Sequence, residues 1–324
     1  MRGSPVTNQE RRAMVTVHIV IGLLGSGKTS TLLHVLHNST RFEKLGVVVG
    51  EFADEGYDGP SLCEAGYPVT MISGMGRREQ IASYLGALRQ MVEAGSFRRI
   101  FLETSGATEA TELAEALNRD AVLAEKVEFG KTVTVVSAAD YDHYMEHFPD
   151  QLTAQIGYAD LVVLNKIDKL KTLEAREQVR DSVRALNPDA EIEMAYMGQV
   201  SRLSVVGPLP EGKRSRLVTW TNERGTPREF ESFVYRTDEL CVDRVRFGHA
   251  LLNLSGRIAR FKGVLACYDR AYAINGVPGQ LDWENQQVEG PTRLAIIGLD
   301  LVEIETDIKE ALDAQLNPYR DSDG

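Results

Sequence analysis

One octapeptide, GLLGSGKT at Gly22–Thr29, constrains the fold of this chain more than any other stretch. It fits G-x-x-x-x-G-K-[ST] and stands where the physics of that motif requires. The β-branched run VTVHIVI at Val15–Ile21 precedes it, and a helical pattern runs from Thr29 to about His37. Glycines let the backbone wrap a phosphate group without Cβ clashes. Consecutive N–H groups and the positive end of the following helix then face the phosphate oxygens. Gly22, Gly25, Ser26 and Gly27 supply the cradle, and Ser30 extends the set into the first turn of the helix. Lys28 is expected to reach the β- and γ-phosphates, and the Thr29 hydroxyl to ligate Mg²⁺.

Apolar strands alternate with helical periods for the next stretch of chain. Strands are expected at Leu45–Val49, Arg99–Leu102, Thr132–Val136 and Leu161–Leu164, and helices at Glu79–Ala94, Glu109–Leu117 and Leu173–Leu186. Strands that are apolar throughout imply a mainly parallel sheet covered on both faces, an α/β P-loop NTPase domain. The pattern changes near residue 198. Residues 199–228 carry Gly, Pro and mixed charge (GPLPEGKRSR, NERGTPRE) and read as a linker. From Phe230 a strand (FESFVY), a helix over Asp243–Arg260, strands near Val264–Tyr268, Ala271–Asn275 and Leu294–Gly298, and a helix over Val302–Leu316 predict a small α+β domain. The expected division is a disordered lead at 1–14, a P-loop domain at 15–198, the linker at 199–228 and a C-terminal domain at 229–324. The length of 324 residues fits two cores better than one.

A net charge of −11 argues against broad nucleic-acid binding, which needs a concentrated positive field. No apolar run reaches the ~18 residues that a membrane-spanning helix needs, and the polar first 14 residues lack the apolar stretch of a signal peptide. Cys63, Cys241 and Cys267 are far apart in sequence and have no CxxC spacing. That usage suits a reducing compartment, with the cytoplasm the expected location, and argues against a disulfide framework or a cysteine-built zinc site.

Two further elements bear on the phosphate cradle. At Arg99–Gly106 (RIFLETSG) an apolar strand ends in Glu103. A carboxylate there can hold Mg²⁺ or its water, and Gly106 can offer its N–H to a γ-phosphate. At Leu161–Asp168 (LVVLNKID) a strand runs into N-K-x-D. Guanine presents two donors on one edge, and the single carboxylate of Asp168 accepts both. Adenine would leave that carboxylate unsatisfied, at a cost of a few kcal/mol. Lys166 is expected to lie along the base and Asn165 to tie this loop to the phosphate loop. GTP with Mg²⁺ is therefore the expected ligand pair.

With these residues the chain resembles the CobW-like GTPases, P-loop proteins linked to metal trafficking and metallocofactor assembly. The resemblance extends to GEFADEGYD at Gly50–Asp58, like the family's glutamate-bearing switch segment, to Glu103–Gly106, like its E-[ST]-S-G element, and to Gln155–Asp160, like its lead-in to the base-loop strand. RFKG at Arg260–Gly263 and Ile297–Gly298 resemble its C-terminal domain. The resemblance implies a GTPase whose nucleotide state controls delivery or assembly at a partner metalloprotein, with the second domain reading the switch. Departures are equally specific. The family's C-x-C-C metal motif is replaced by ISGMGRRE at Ile72–Glu79. Arginine does not ligate zinc, so no zinc site is expected there. Gly50 stands where the family commonly has Asn.

Asp58 is the candidate Mg²⁺-side or water-orienting carboxylate of the acidic segment, and Glu51 a partner-facing or metal-facing one. The bland alternative is a solvated acidic loop. Arg77 and Arg78 could meet a γ-phosphate in cis or across a homodimer, dock an acidic partner, or simply begin a surface helix. His143 and His147, preceded by Asp140 and Asp142, have a spacing that can share a metal on one helix face, yet two imidazoles are half a tetrahedral site. His34 and His37 read as packing or surface residues. Two rival readings stay open. One is a nucleotide-gated interaction module without turnover. The other is a small-molecule kinase, which binding of ATP as well as GTP would favour.

Overall fold

The computed structural model describes residues 14–39, 43–52, 62, 66–74, 77–106, 110–209, 230–254, 256–277, 280–286 and 290–316. The chain divides into two compact units, Met1–Pro227 and Arg228–Gly324.

The first unit is built on a seven-stranded sheet of β1 (Val15–Ile21), β2 (Leu45–Phe52), β3 (Val69–Gly74), β4 (Arg99–Glu103), β5 (Val127–Ser137), β6 (Leu161–Asn165) and β7 (Glu191–Met194), in the order β3-β2-β4-β1-β5-β6-β7. Every pairing in it is parallel. The central strands are Val- and Ile-rich because both faces are buried. Val15, Val17, Ile19 and Ile21 of β1 join one apolar layer with Leu88, Leu113 and Leu117 of covering helices. Val20 turns to the opposite layer with Val133, Val135, Leu161 and Val163, under Leu32, Val35 and Leu36. Each such side chain, fully buried, contributes about 1.5–3 kcal/mol. From β1 the chain passes to one side of the sheet for β2 and β3, and from β5 onward to the other. Loops at the carboxyl end of β1 therefore diverge, which opens a crevice there.

Helices follow as α1 (Lys28–His37), α2 (Arg77–Glu93), α3 (Ala110–Arg119), α4 (Ala121–Lys126), α5 (Tyr141–His147), α6 (Pro149–Gly157), α7 (Leu173–Leu186) and α8 (Arg202–Val206). Asp120 and Thr172 cap α4 and α7 by accepting from Leu123 N and Ala175 N. In this unit two strands, β3 and β7, were not foreseen in the sequence. Residues 199–206, assigned to the linker above, pack instead on the sheet, with Val200 and Val205 buried in its second apolar layer.

The second unit carries β8 (Phe230–Thr237), α9 (Arg244–Leu252), β9 (Ile258–Ala266), β10 (Ala271–Val277), β11 (Gln280–Gln286), β12 (Thr292–Leu299) and α10 (Glu305–Leu316). Its sheet is antiparallel, ordered β11-β10-β9-β12-β8. The helix expected over Asp243–Arg260 is half that length. Asp243 caps its start, Asn253 closes it, and from Ile258 alternating burial commits the chain to β9. Cys241 and Cys267, distant in sequence, form an isolated bridge pair with both thiols free. No helix among the described residues is long and apolar enough to cross a membrane.

Candidate nucleotide-binding site

The carboxyl ends of β1, β4 and β6 converge on the turn before α1. Gly27 caps that helix in a left-handed conformation, with φ of 98°. A Cβ at Gly27 would lie 2.2 Å from the Asn165 Nδ2, so both backbone and space demand glycine. Lys28 is 8% exposed and folds over the loop, its Nζ donating to the carbonyls of Gly22 at 3.0 Å and Leu23 at 3.3 Å. The Ser26 hydroxyl is buried and has no hydrogen-bond partner among the described residues. An unsatisfied hydroxyl of that kind costs about 1–3 kcal/mol, and a phosphate oxygen is an acceptor that would satisfy it. Gly22 and Gly25 complete the turn, and Ser30 is exposed on α1.

Glu103 ends β4 with 4% exposure, and its Oε1 accepts from the Thr29 hydroxyl at 2.6 Å. A hydroxyl and a carboxylate in contact beside a phosphate cradle form an oxygen-only donor set, the kind that suits Mg²⁺. The residues present fit that ion. The strand end beyond Glu103 is stitched to the loop: Thr104 N donates to Val20 O at 3.0 Å, and a Cβ at Gly106 would sit 2.6 Å from Leu24 N. The Gly106 backbone therefore lies directly on the phosphate loop.

Asn165 is 2% exposed at the end of β6 and spans two loops. Its Nδ2 donates to Ser26 O at 2.9 Å and its Oδ1 accepts from Gly198 N at 2.9 Å. The N-K-x-D element thus sits on the phosphate loop in the folded chain. Lys166 adopts a left-handed conformation, with φ of 58°, and its Nζ donates to Asp140 Oδ2 at 3.1 Å. Asp168 follows in a one-turn 3₁₀ helix, Ile167–Lys169, with its side chain exposed.

Three contributors escaped the sequence. The loop after β7 runs through Tyr196, Met197 (φ 50°) and Gly198 (φ 74°). A Cβ at Gly198 would approach Thr31 N to 2.6 Å, so this loop packs on the start of α1. Tyr144 of α5, 2% exposed, donates its hydroxyl to Leu24 O at 2.7 Å and braces the phosphate loop from outside. Asp140, grouped above with the histidines, belongs instead to Lys166 and to the Ser137 hydroxyl. His143 and His147 do lie together on α5, ring centroids 4.4 Å apart, and burial draws the His143 imidazole below its ordinary pKa. Among the described residues no group of three metal-ligating side chains forms around them. Asp58, with residues 53–61, lies outside the described residues, as do the side chains of Glu51, Arg77 and Arg78.

A parallel sheet with a glycine-rich phosphate loop at its topological switch point defines a P-loop NTPase-like nucleotide-binding protein. The chain belongs to the CobW/HypB/UreG family: the family's nucleotide-binding domain matches residues 16–193, and the cobalamin synthesis protein cobW C-terminal domain matches residues 230–316. Among its relatives, the zinc-regulated GTPase metalloprotein activator 1 of Schizosaccharomyces pombe is 29% identical over 200 residues, covering 59% of this chain and 48% of that protein. The zinc chaperone CobW of Pseudomonas aeruginosa is 28% identical over 209 residues, covering 55% of each. The zinc chaperone CobW of a Sinorhizobium species is 27% identical over 319 residues, covering 85% of each. The chain spans about half the length of the first two relatives, 48% and 55%.

Proposed function

We propose that this chain binds GTP with Mg²⁺, hydrolyses it to GDP and phosphate, and uses the nucleotide state to gate delivery or assembly at a partner metalloprotein. The observation that carries the reading is the double role of Asn165, whose amide joins the phosphate loop at Ser26 to the Gly198 loop. That contact supports the reading that the N-K-x-D element and the phosphate cradle serve one nucleotide. Asp168 would then accept both donors on the guanine edge, with Lys166, steadied by Asp140, beside the base.

Hydrolysis would be in-line attack of water on the γ-phosphorus, forming one P–O bond as the bond to the β-phosphate oxygen breaks. Lys28 would leave the Gly22 and Leu23 carbonyls and neutralise charge on the β- and γ-phosphates. The Gly106 and loop amides would hold the oxygens that gain charge. Thr29 and Glu103 are the residues that would hold Mg²⁺, which when bound supplies further neutralisation of phosphate charge. Asp58 is proposed as an additional Mg²⁺-side carboxylate.

The names of the relatives support a metalloprotein client, and their zinc chemistry supports metal delivery as the task. The Ile72–Glu79 segment has no thiolate, so any cargo metal would not be held there. Phosphate release from GTP tests the reading. Release is expected from the native chain and to fall at least ~100-fold in Lys28→Ala, the scale on which a lost transition-state contact acts. Tight GTP binding without release would leave a nucleotide-gated module in place of a GTPase, and phosphorylation of a small molecule from ATP would make it a kinase.

A further inference from the structure

Tyr84 lies in the middle of α2 and is fully buried, at 0% exposure. A phenol in a core needs a partner for its hydroxyl. Here the Oη accepts from the backbone N–H of Ser105 at 2.9 Å. Ser105 stands between Glu103 and Gly106, the two residues of β4's end that face the phosphate loop. The place of the hydroxyl is fixed from the other side by Gly50. A Cβ at Gly50 would fall 1.5 Å from the Oη and 2.4 Å from the Cζ, so no other residue at 50 leaves the phenol where it is. Gly50 is the next residue after Val49, which pairs with Glu103 across β2 and β4. One hydroxyl therefore sits over the β2 backbone, on the helix that follows β3, and against the strand end whose glycine backs onto Leu24.

We propose that Tyr84 is a positioning residue for nucleotide state: through the Ser105 amide it sets the Gly106 backbone against the phosphate loop, and it couples that setting to α2. The proposal deepens the GTPase reading and rests on it. Gly106 can serve a γ-phosphate only if the Ser105–Gly106 peptide is held in one orientation; the chain enters it through Thr104, whose N–H donates to Val20 O, and Gly106 itself packs on Leu24. The third restraint acts on the adjoining Thr104–Ser105 peptide, whose N–H is held by Tyr84 on a helix whose first turn is Arg77–Glu79. Movement of this segment on binding or loss of the γ-phosphate is transmitted to α2 through the Ser105 N–H···Oη bond, whose hydroxyl packs directly on the Gly50 backbone. A diphosphate, held by the cradle and the base loop, makes no demand on this peptide.

Tyr84→Phe keeps the ring and removes the hydroxyl, and with it the acceptor for the Ser105 N–H. Its affinity for GDP is expected to stay within about twofold of the native value. Its affinity for a non-hydrolysable GTP analogue is expected to fall about tenfold, the scale of one buried hydrogen bond. A merely structural role would lower both affinities together. Hydrogen exchange on the native chain gives an independent readout that needs no variant. The peptide containing the Ser105 amide should gain protection with the GTP analogue and not with GDP, and α2 should change with it. Equal loss of both nucleotides in Tyr84→Phe, no loss of either, or Ser105 protection indifferent to the γ-phosphate would each overturn the proposal while leaving the GTPase reading intact. A native chain that binds neither guanine nucleotide would overturn both.

Discussion

Removing the Asn165 side chain breaks two buried contacts at once and strands the Gly198 N–H and the Ser26 carbonyl. Asn165→Ala should lower stability by about 2–4 kcal/mol, each orphaned buried group costing ~1–3. It should weaken guanine nucleotides more than tenfold, as denaturant unfolding and nucleotide titration would report. His18 offers a test by pH. It is buried in β1, stacked on Phe101 at 5.5 Å, and burial first and the Arg99 charge second hold its pKa down to about 3. Lys131 and Arg202 add positive charge nearby. A histidine whose folded pKa lies below its unfolded value, ~6.5, takes up its proton preferentially on unfolding. Stability should therefore be full above ~6.5 and fall as pH drops toward 3, by at most ~1.4 kcal/mol per unit. His18→Leu should flatten that slope between pH 6.5 and 5 by about one proton, measured by urea unfolding at several pH values. At this scale the phosphate loop, Glu103–Gly106 and Asn165–Asp168 were legible because each is a contiguous motif at a strand end. Tyr84, Asp140, Tyr144 and Gly198 were not. Each acts through a contact with a residue far along the chain, and no spacing announces it.

Elements divide along similar lines. The long helix Leu173–Leu186 and the central strands could be read from period and β-branching, since their burial is one-sided or complete. The strands that went unforeseen, β3, β7 and β11, are all edge strands of their sheets. β7 reads EIEM and β11 QLDWENQ, half-solvated segments whose polar residues hide the alternation. The helix read too long, Asp243–Arg260, shows the reverse error: apolar residues of β9 continue the helical period past Asn253, and only the antiparallel partners β10 and β12 decide the matter. The Cys241–Cys267 pairing is likewise a product of β9 returning through the sheet, which sequence separation conceals.

For the molecule as a whole, the apolar layers on the two faces of the first unit's sheet and the apolar core of the second unit carry the stability. Phe247, fully buried with Leu251, Ile296 and Leu312, belongs to the core of the second unit. Calorimetry should resolve two transitions, and Phe247→Ala should lower one of them by about 3–5 kcal/mol, the cost of a large cavity, and leave the other in place. A shift of both transitions would mean that the two units unfold as one. In the first unit the glycine-rich turn, with the buried Ser26 hydroxyl and Lys28 folded over it, is tied by Asn165 to the loop that carries Asp168. Titration calorimetry of GTP and ATP in the presence of Mg²⁺, on the native chain and on Asp168→Ala, tests that link most directly. The account predicts GTP bound at least ~100-fold more tightly than ATP, and that preference erased in Asp168→Ala. Equal affinity for the two nucleotides in the native chain, or a guanine preference that survives loss of the carboxylate, would contradict it.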